Sequence, residues 1–340
     1  MSAAQWSAAR TSLLNLLYPH GLPSTGADVS QANYNYAGAG IALPANCTHM
    51  TRYTISAPGQ RPGGDPQYTY LLYPTTSNGK LVVWMCGHDG WADYDRAAEG
   101  NVIGSLLGAG YYVLVCDTVA FSYAQNPVGT HIVIGGSWTY SSGSWHNTGG
   151  TLTAIAEHAV SALDSDGGPL ALLQFVHHVI VSANQAVSDV SPSKCILAGH
   201  SGGGIAGNLV SALDGRYVSY YSNVPGLVWP CVDTTYVNSD TESYVLSAAY
   251  TGGACAIDWW GMFRIGASWP GRHTDLVSAL NDEYWPVTRL PAWYEQQDAI
   301  VDYIRSVGST FTYYLDPIAY PGHVMNAARV TRMLSLMAGD

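Results

Sequence analysis

Residues 199–203 read Gly199-His200-Ser201-Gly202-Gly203, a serine with glycines two positions to either side. A serine hydroxyl attacks a carbonyl when a base takes its proton and fixed N–H groups hold the oxyanion that forms. In a chain with 37 glycines the pentapeptide alone is a weak signal. Its surroundings sharpen it. The apolar run Cys195-Ile-Leu-Ala198 stands just before it and Ile205-Ala-Gly-Asn-Leu-Val210 just after, so the serine falls on a strand-to-helix turn. That turn strains the backbone at the serine, and its neighbours must lack bulk. Gly199 and Gly203 let strand and helix approach each other around it. The amides that follow open a helix N-terminus, which favours developing negative charge. An incidental serine in a Gly-rich turn leaves the flanking strand and helix unexplained.

The elements around this turn follow from periodicity. Residues 3–17 form an amphipathic helix pattern, with Trp6, Ala9, Leu13, Leu14 and Leu17 on one side. Strand patterns follow at 49–55 and 68–73, with a Pro/Gly turn at 62–66 between them. Continuous apolar runs occupy 81–86, 111–116 and 195–198, separated by helix patterns at 92–108 and 168–187. Runs this apolar fit strands covered on both faces, as in a mostly parallel sheet with helices packed on each side. Further strands are expected at 290–294 and 310–315, with a closing helix after 323. Two long interruptions, 118–150, rich in Gly, Ser, Trp and His, and 225–288, rich in Trp, Tyr, Gly and Pro, read as lids or binding walls. The division expected is an N-terminal helix and extended segment over 1–60, packed on an α/β catalytic domain over 61–340 that carries both insertions.

Composition excludes several classes of function. The net charge is −11 and only 13 residues are Lys or Arg, so no basic stripe is available to neutralise phosphates and nucleic acid is not expected as a partner. The apolar runs are too short to cross a bilayer. The N-terminus has neither a basic nor an apolar leader region, so no signal peptide is expected. The low-charge surface, covered by Ser, Thr, Asn, Gly and Tyr, is compatible with an extracellular or virus-particle setting and leaves the location open. The six cysteines show no C-x-x-C pair. Cys86, Cys116 and Cys195 lie in strand runs and read as core thiols, while Cys231 and Cys255 could pair only under oxidising conditions. The scattered His131, His146, His158, His177 and His178 have no metal-ligand spacing. No metal and no cofactor is expected.

From about residue 68 to the end, the chain resembles the α/β-hydrolase superfamily. The resemblance rests on the strand, Gly199–Gly203 turn and helix, and on candidate residues in the order nucleophile, acid, histidine. It implies an α/β-hydrolase fold with Ser201 as nucleophile and a base after the last strand, where His323 stands in Tyr320-Pro-Gly-His323. Imidazole suits that task because it titrates near neutrality. The acid that orients the imidazole is expected at Asp298, one helix and one strand ahead of His323. Asp316, at the tip of the last strand, is its rival. The oxyanion hole would use the N–H of Gly202 and a second N–H from the loop 87–90. By the family's His-Gly-x pattern, with Cys86 where a histidine often stands, that donor is His88, and Asp89 is the alternative.

The chemistry implied is acyl transfer to water through an acyl-enzyme. A carboxylic ester is the first expectation for the substrate, because an alkoxide leaving group asks less of the site than an amine. Trp138, Trp145, Trp259, Trp260 and Trp269 in the insertions suit an apolar or sugar-facing wall, so an O-acylated carbohydrate or an aromatic ester would fit. The competing readings are a peptidase or thioesterase on the same scaffold and a binding protein without chemistry. Oligomeric state is left open.

Overall fold

The computed structural model describes residues 3–18, 21–34, 43–55, 67–87, 101–116, 137–141, 144–149, 169–224, 259–279, 310–317 and 322–340. Eleven strands occur among them: β1 (Val29–Gln31), β2 (Cys47–Ile55), β3 (Gln67–Pro74), β4 (Lys80–Met85), β5 (Tyr112–Cys116), β6 (Ser137–Ser141), β7 (Ser144–Gly149), β8 (Lys194–His200), β9 (Tyr217–Asn223), β10 (His273–Ala279) and β11 (Thr310–Asp316). The helices are α1 (Ala3–Leu17), α2 (Val102–Gly108), α3 (Pro169–Val190), α4 (Gly202–Leu213), α5 (Trp259–Ala267) and α6 (Ala327–Gly339).

Nine strands form one sheet in the order β1-β2-β3-β5-β4-β8-β9-β10-β11. The pairs from β5 through β11 are parallel, and β1, β2 and β3 extend the sheet by antiparallel pairing. The expected mostly parallel sheet is present. Its central strands are continuous apolar runs because alternate residues enter two different cores. Leu81, Val83 and Met85 of β4 join Leu197 of β8 in a core with α1, α3, α4 and α5. Val82 and Trp84 join Ile196 and Ala198 in a second core, covered by α2 and α6. Cys86, Cys116 and Cys195 are buried free thiols, as expected. The pair Cys231 and Cys255 lies outside the described residues.

Neither β9 nor β10 is announced by an apolar run. β9 reads Tyr217-Val-Ser-Tyr-Tyr-Ser-Asn223. β10 lies within the stretch 225–288 that composition reads as an insertion, yet it pairs with β9 on one side and β11 on the other. Its polar residues are paired. Asp275 accepts from Arg332 at 2.6 Å and from Thr312, and His273 faces Asp340. The first interruption, 118–150, contains the separate β6–β7 ribbon. The strand expected at 290–294 is outside the described residues.

The helix that follows the serine turn is tied down at its far end. Arg272 is buried, and its guanidinium donates to the carbonyls of Ser211 at 2.7 Å, Asp214 at 2.8 Å, Gly266 at 2.9 Å and Tyr217 at 2.9 Å. Burial pushes its pKa down to about 9, so it remains a cation at neutral pH. A cation at these carbonyls complements the C-terminal dipole of α4 and satisfies acceptors that the helix leaves open. Replacing Arg272 with methionine should lower stability by about 3–5 kcal/mol, since four buried carbonyls lose a charged donor. The check is a denaturant midpoint that falls while the slope stays constant. Lysine should not restore it, because one ammonium cannot span the same acceptors.

The first helix docks on this assembly. Trp6, Leu13 and Leu17 are buried, and the Arg10 guanidinium lies 3.7 Å over the Trp269 ring while donating to Ile265 O at 2.9 Å. Among the described residues no helix is long and apolar enough to cross a membrane.

Candidate active site

The site is built where β8 ends. Parallel strands β4 and β8 are neighbours, but the chain leaves β4 toward β5 on one side and enters β9 from β8 on the other. Such a switch of direction opens a crevice beyond the carboxyl ends of the strands. Ser201 stands there, immediately after β8, with φ 53° and ψ −125°. A positive φ at a non-glycine residue is unfavourable and persists only where the surroundings enforce it. Here Ser201 N–H donates to Asn223 O at 3.0 Å, and Ser201 O accepts the first helical bond, from Ile205 N, at 3.0 Å.

Glycines make this corner sterically possible. A Cβ on Gly199 would lie 2.5 Å from Gly203 O, and one on Gly203 would lie 2.2 Å from Met85 O and 2.3 Å from Cys86 O. The first contact is the strand–helix approach expected from the sequence. The second is additional: the start of α4 sits directly on the end of β4. The loop that begins at Gly87 therefore starts beside the N-terminal amides of α4, among them that of Gly202, which is buried.

Ser201 occupies the N-cap of α4, where a serine hydroxyl ordinarily accepts from an amide of the first turn. It makes no such bond. Its Oγ instead lies 2.7 Å from His323 Nε2, although the two residues are far apart in sequence. His323 follows β11 on the turn leading into α6, whose first turn is capped by Asn326 through its side-chain oxygen to Arg329 N at 3.0 Å. The His323 ring also lies 5.4 Å, centre to centre, from the buried ring of His200. Asn223 donates to His200 Nδ1 at 2.6 Å.

Of the two acid candidates, Asp316 is at the tip of β11, buried, with Oδ2 2.6 Å from Arg329 Nε. Asp298, His88 and Asp89 lie outside the described residues, as do His131 and His158. His177 and His178 are buried on α3, and Tyr18 OH is 3.4 Å from His177 Nδ1. Among the described residues no cluster of three or more His, Cys, Asp or Glu is placed to hold a metal ion.

No family model matches the chain, and no curated protein matches its sequence. Solved structures do match. The methylesterase BT1017 superposes with a TM-score of 0.58 at 13% identity, covering 99% of this chain and 63% of its own. A CE15 glucuronoyl esterase from Teredinibacter turnerae gives 0.55 at 14%, over 100% of this chain and 86% of its own. Acetyl xylan esterase 1 from a Thermoanaerobacterium species gives 0.52 at 12%, over 99% and 94%. The chain has the α/β-hydrolase fold.

Within this fold, two residues beside the site carry no sequence motif. Asn223 ends β9 and serves both sides of the turn, its carbonyl holding Ser201 N–H and its amide holding His200. Arg329 lies six residues past His323 and is buried against Asp316. A signal for Arg329 exists in retrospect. The chain has only 13 basic residues, and two of them, Arg329 and Arg332 of the closing helix, pair with sheet carboxylates.

Proposed function

We propose that the protein is a serine esterase that hydrolyses a carboxylic ester through an acyl-enzyme, with Ser201 as nucleophile and His323 as general base. The observation that carries this reading is the Ser201 hydroxyl. It sits at a strained corner, declines the N-cap bond open to it, and meets an imidazole nitrogen at 2.7 Å. A structural serine at a helix start would have no reason to do all three.

His323 Nε2 takes the hydroxyl proton as Ser201 Oγ bonds to the ester carbonyl carbon, and the carbonyl electron pair becomes an oxyanion. In this reading that oxyanion is held by the N–H of Gly202 and by a donor from the loop after β4, His88 or Asp89, next to the positive end of α4. The tetrahedral intermediate then collapses. The C–O bond to the alcohol breaks, and the alcohol leaves with the proton from His323. A water molecule, deprotonated by His323, repeats the sequence on the acyl-enzyme and releases the acid. Asp298 is our choice for the carboxylate that orients the imidazole, since the Asp316 carboxylate is already paired with Arg329.

The substrate class rests on two supports. The three structural neighbours are each named as esterases, one for acetyl xylan and one for glucuronoyl esters. The aromatic-rich insertions suit an O-acylated carbohydrate or an aromatic ester. The test is labelling with a fluorophosphonate probe followed by peptide mapping. The expected result is a single phosphonylated residue, Ser201, with labelling abolished in Ser201→Ala. A wild-type chain that stays unlabelled would make this a binding protein on a hydrolase fold. A panel of acetylated oligosaccharides, aromatic esters, thioesters and peptides then separates esterase from thioesterase and peptidase. An activated aryl acetate alone does not discriminate.

A further inference from the structure

We propose that Arg329 is a positioning residue for His323, working from inside the closing helix. The inference rests on the reading of His323 as the base. Arg329 is 2% exposed, and a guanidinium that deep loses several kcal/mol of hydration unless its contacts return it. Two contacts do so at Nε and Nη1, while Nη2 is buried without a hydrogen-bond partner among the described residues, and both contacts lead to the histidine turn. Nε donates to Asp316 Oδ2 at 2.6 Å, at the last residue of β11, where the chain departs toward His323. Nη1 donates to Val324 O at 2.6 Å, the carbonyl one residue past His323.

The turn 322–326 is therefore fixed from three directions. Arg329 holds the Val324 carbonyl, the Met325 side chain is buried in the core, and Asn326 caps α6 through Arg329 N. Asp316 anchors the same guanidinium to the sheet, so the turn takes its position from β11, next to β10 and three strands from β8. A base on a turn must hold its ring nitrogen to a few tenths of an ångström to take the Ser201 proton, and a misplacement of about 1 Å costs about 100-fold in rate. A purely local cap such as Asn326 fixes the helix start but not the carbonyl beside the histidine.

The molecule contains its own control. Arg332, one turn further along α6, makes an ion pair of equal length with Asp275, 2.6 Å, and lies 4.7 Å from the centre of the Tyr314 ring, so its contacts are with β10 and β11. Removing either arginine weakens the docking of α6; only one removal frees the turn. Arg329→Met and Arg332→Met are compared with wild type by fluorophosphonate labelling rate, by KM and kcat on an ester, by thermal unfolding, and by hydrogen exchange of the 322–326 amides. The expected result is a 10- to 100-fold slower labelling and lower kcat in Arg329→Met, KM within twofold, and faster exchange at 322–326. Arg332→Met should lose stability with labelling and exchange at the turn unchanged. Arg329→Lys, which can meet Asp316 but not Val324 as well, should still label at least fivefold slower; it serves if Arg329→Met does not fold.

Equal labelling rates in wild type and either Arg329 variant would overturn the proposal. So would losses in Arg329→Met matched by Arg332→Met at the same stability. A wild-type chain that neither labels nor hydrolyses esters would instead reject the catalytic reading, and the exchange comparison would still report whether Arg329 holds the turn.

Discussion

His323→Ala is expected to reduce ester turnover by about four to six orders of magnitude while leaving the fold intact. The large loss follows from what the hydroxyl lacks without it. A serine Oγ–H is a poor nucleophile at neutral pH, and the dipole of α4 helps the oxyanion without removing the proton. His323 is only partly buried and sits on a turn, so its removal opens no core cavity. His200 is no substitute: its ring is buried, and Asn223 holds its Nδ1 at 2.6 Å. Ser201→Ala should fall to the same floor. The double variant should be no worse than either single one, because residues acting as a unit do not contribute additively. Kinetics on an ester, with a thermal melt to confirm folding, check this. A loss below tenfold in folded His323→Ala would remove the imidazole from the mechanism.

The parts of this molecule that were legible in the sequence are those whose signal is local. β4, β5 and β8 were visible because strands covered on both faces become unbroken apolar runs, and alternate residues of β4 do enter the two cores. The turn at Ser201 was visible because strand, glycines and helix are contiguous. β9 and β10 were hidden for a physical reason. Both are paired on two sides within the sheet, but Tyr220 and Tyr221 bring hydroxyls into the core, and Asp275 and His273 are polar because partners at α6 and on β11 meet them. A polar residue satisfied by a distant partner looks from sequence like one facing water. The same limit applies at the site. Asp316 reads as an acid candidate from its place at a strand tip, and only the folded chain shows the buried guanidinium of Arg329 against it. Asn223 carried no motif, since its role is a carbonyl and an amide supplied to neighbours by strand pairing.

The second large effect is expected from Gly203→Ala, one methyl group added to the corner. The added Cβ would lie 2.2 Å from Met85 O and 2.3 Å from Cys86 O, both backbone atoms at the end of a central strand. No side-chain rotation relieves such a contact, so α4 must move away from β4 or the turn at Ser201 must open. Stability should fall by about 3–5 kcal/mol, at the upper end for overpacking because the clash is with backbone. Labelling of Ser201 should fall at least a thousandfold in whatever remains folded. The reason is geometric: the same approach that excludes the methyl group sets the N-terminal amides of α4 beside the loop that follows β4, so one displacement moves the hydroxyl and the proposed oxyanion donors apart together. Gly207→Ala, one turn further along α4, supplies the contrast. Its Cβ would meet the ring of Tyr220, nearest at the hydroxyl oxygen at 2.8 Å, and not backbone. A side chain can yield where a strand cannot, so about 1–2 kcal/mol and largely retained labelling are expected there. Denaturant midpoints and labelling rates of the two variants, measured side by side, decide the matter. A Gly203→Ala chain with the wild-type midpoint and normal labelling would mean that the tight junction between β4 and α4 does not set the reactive geometry.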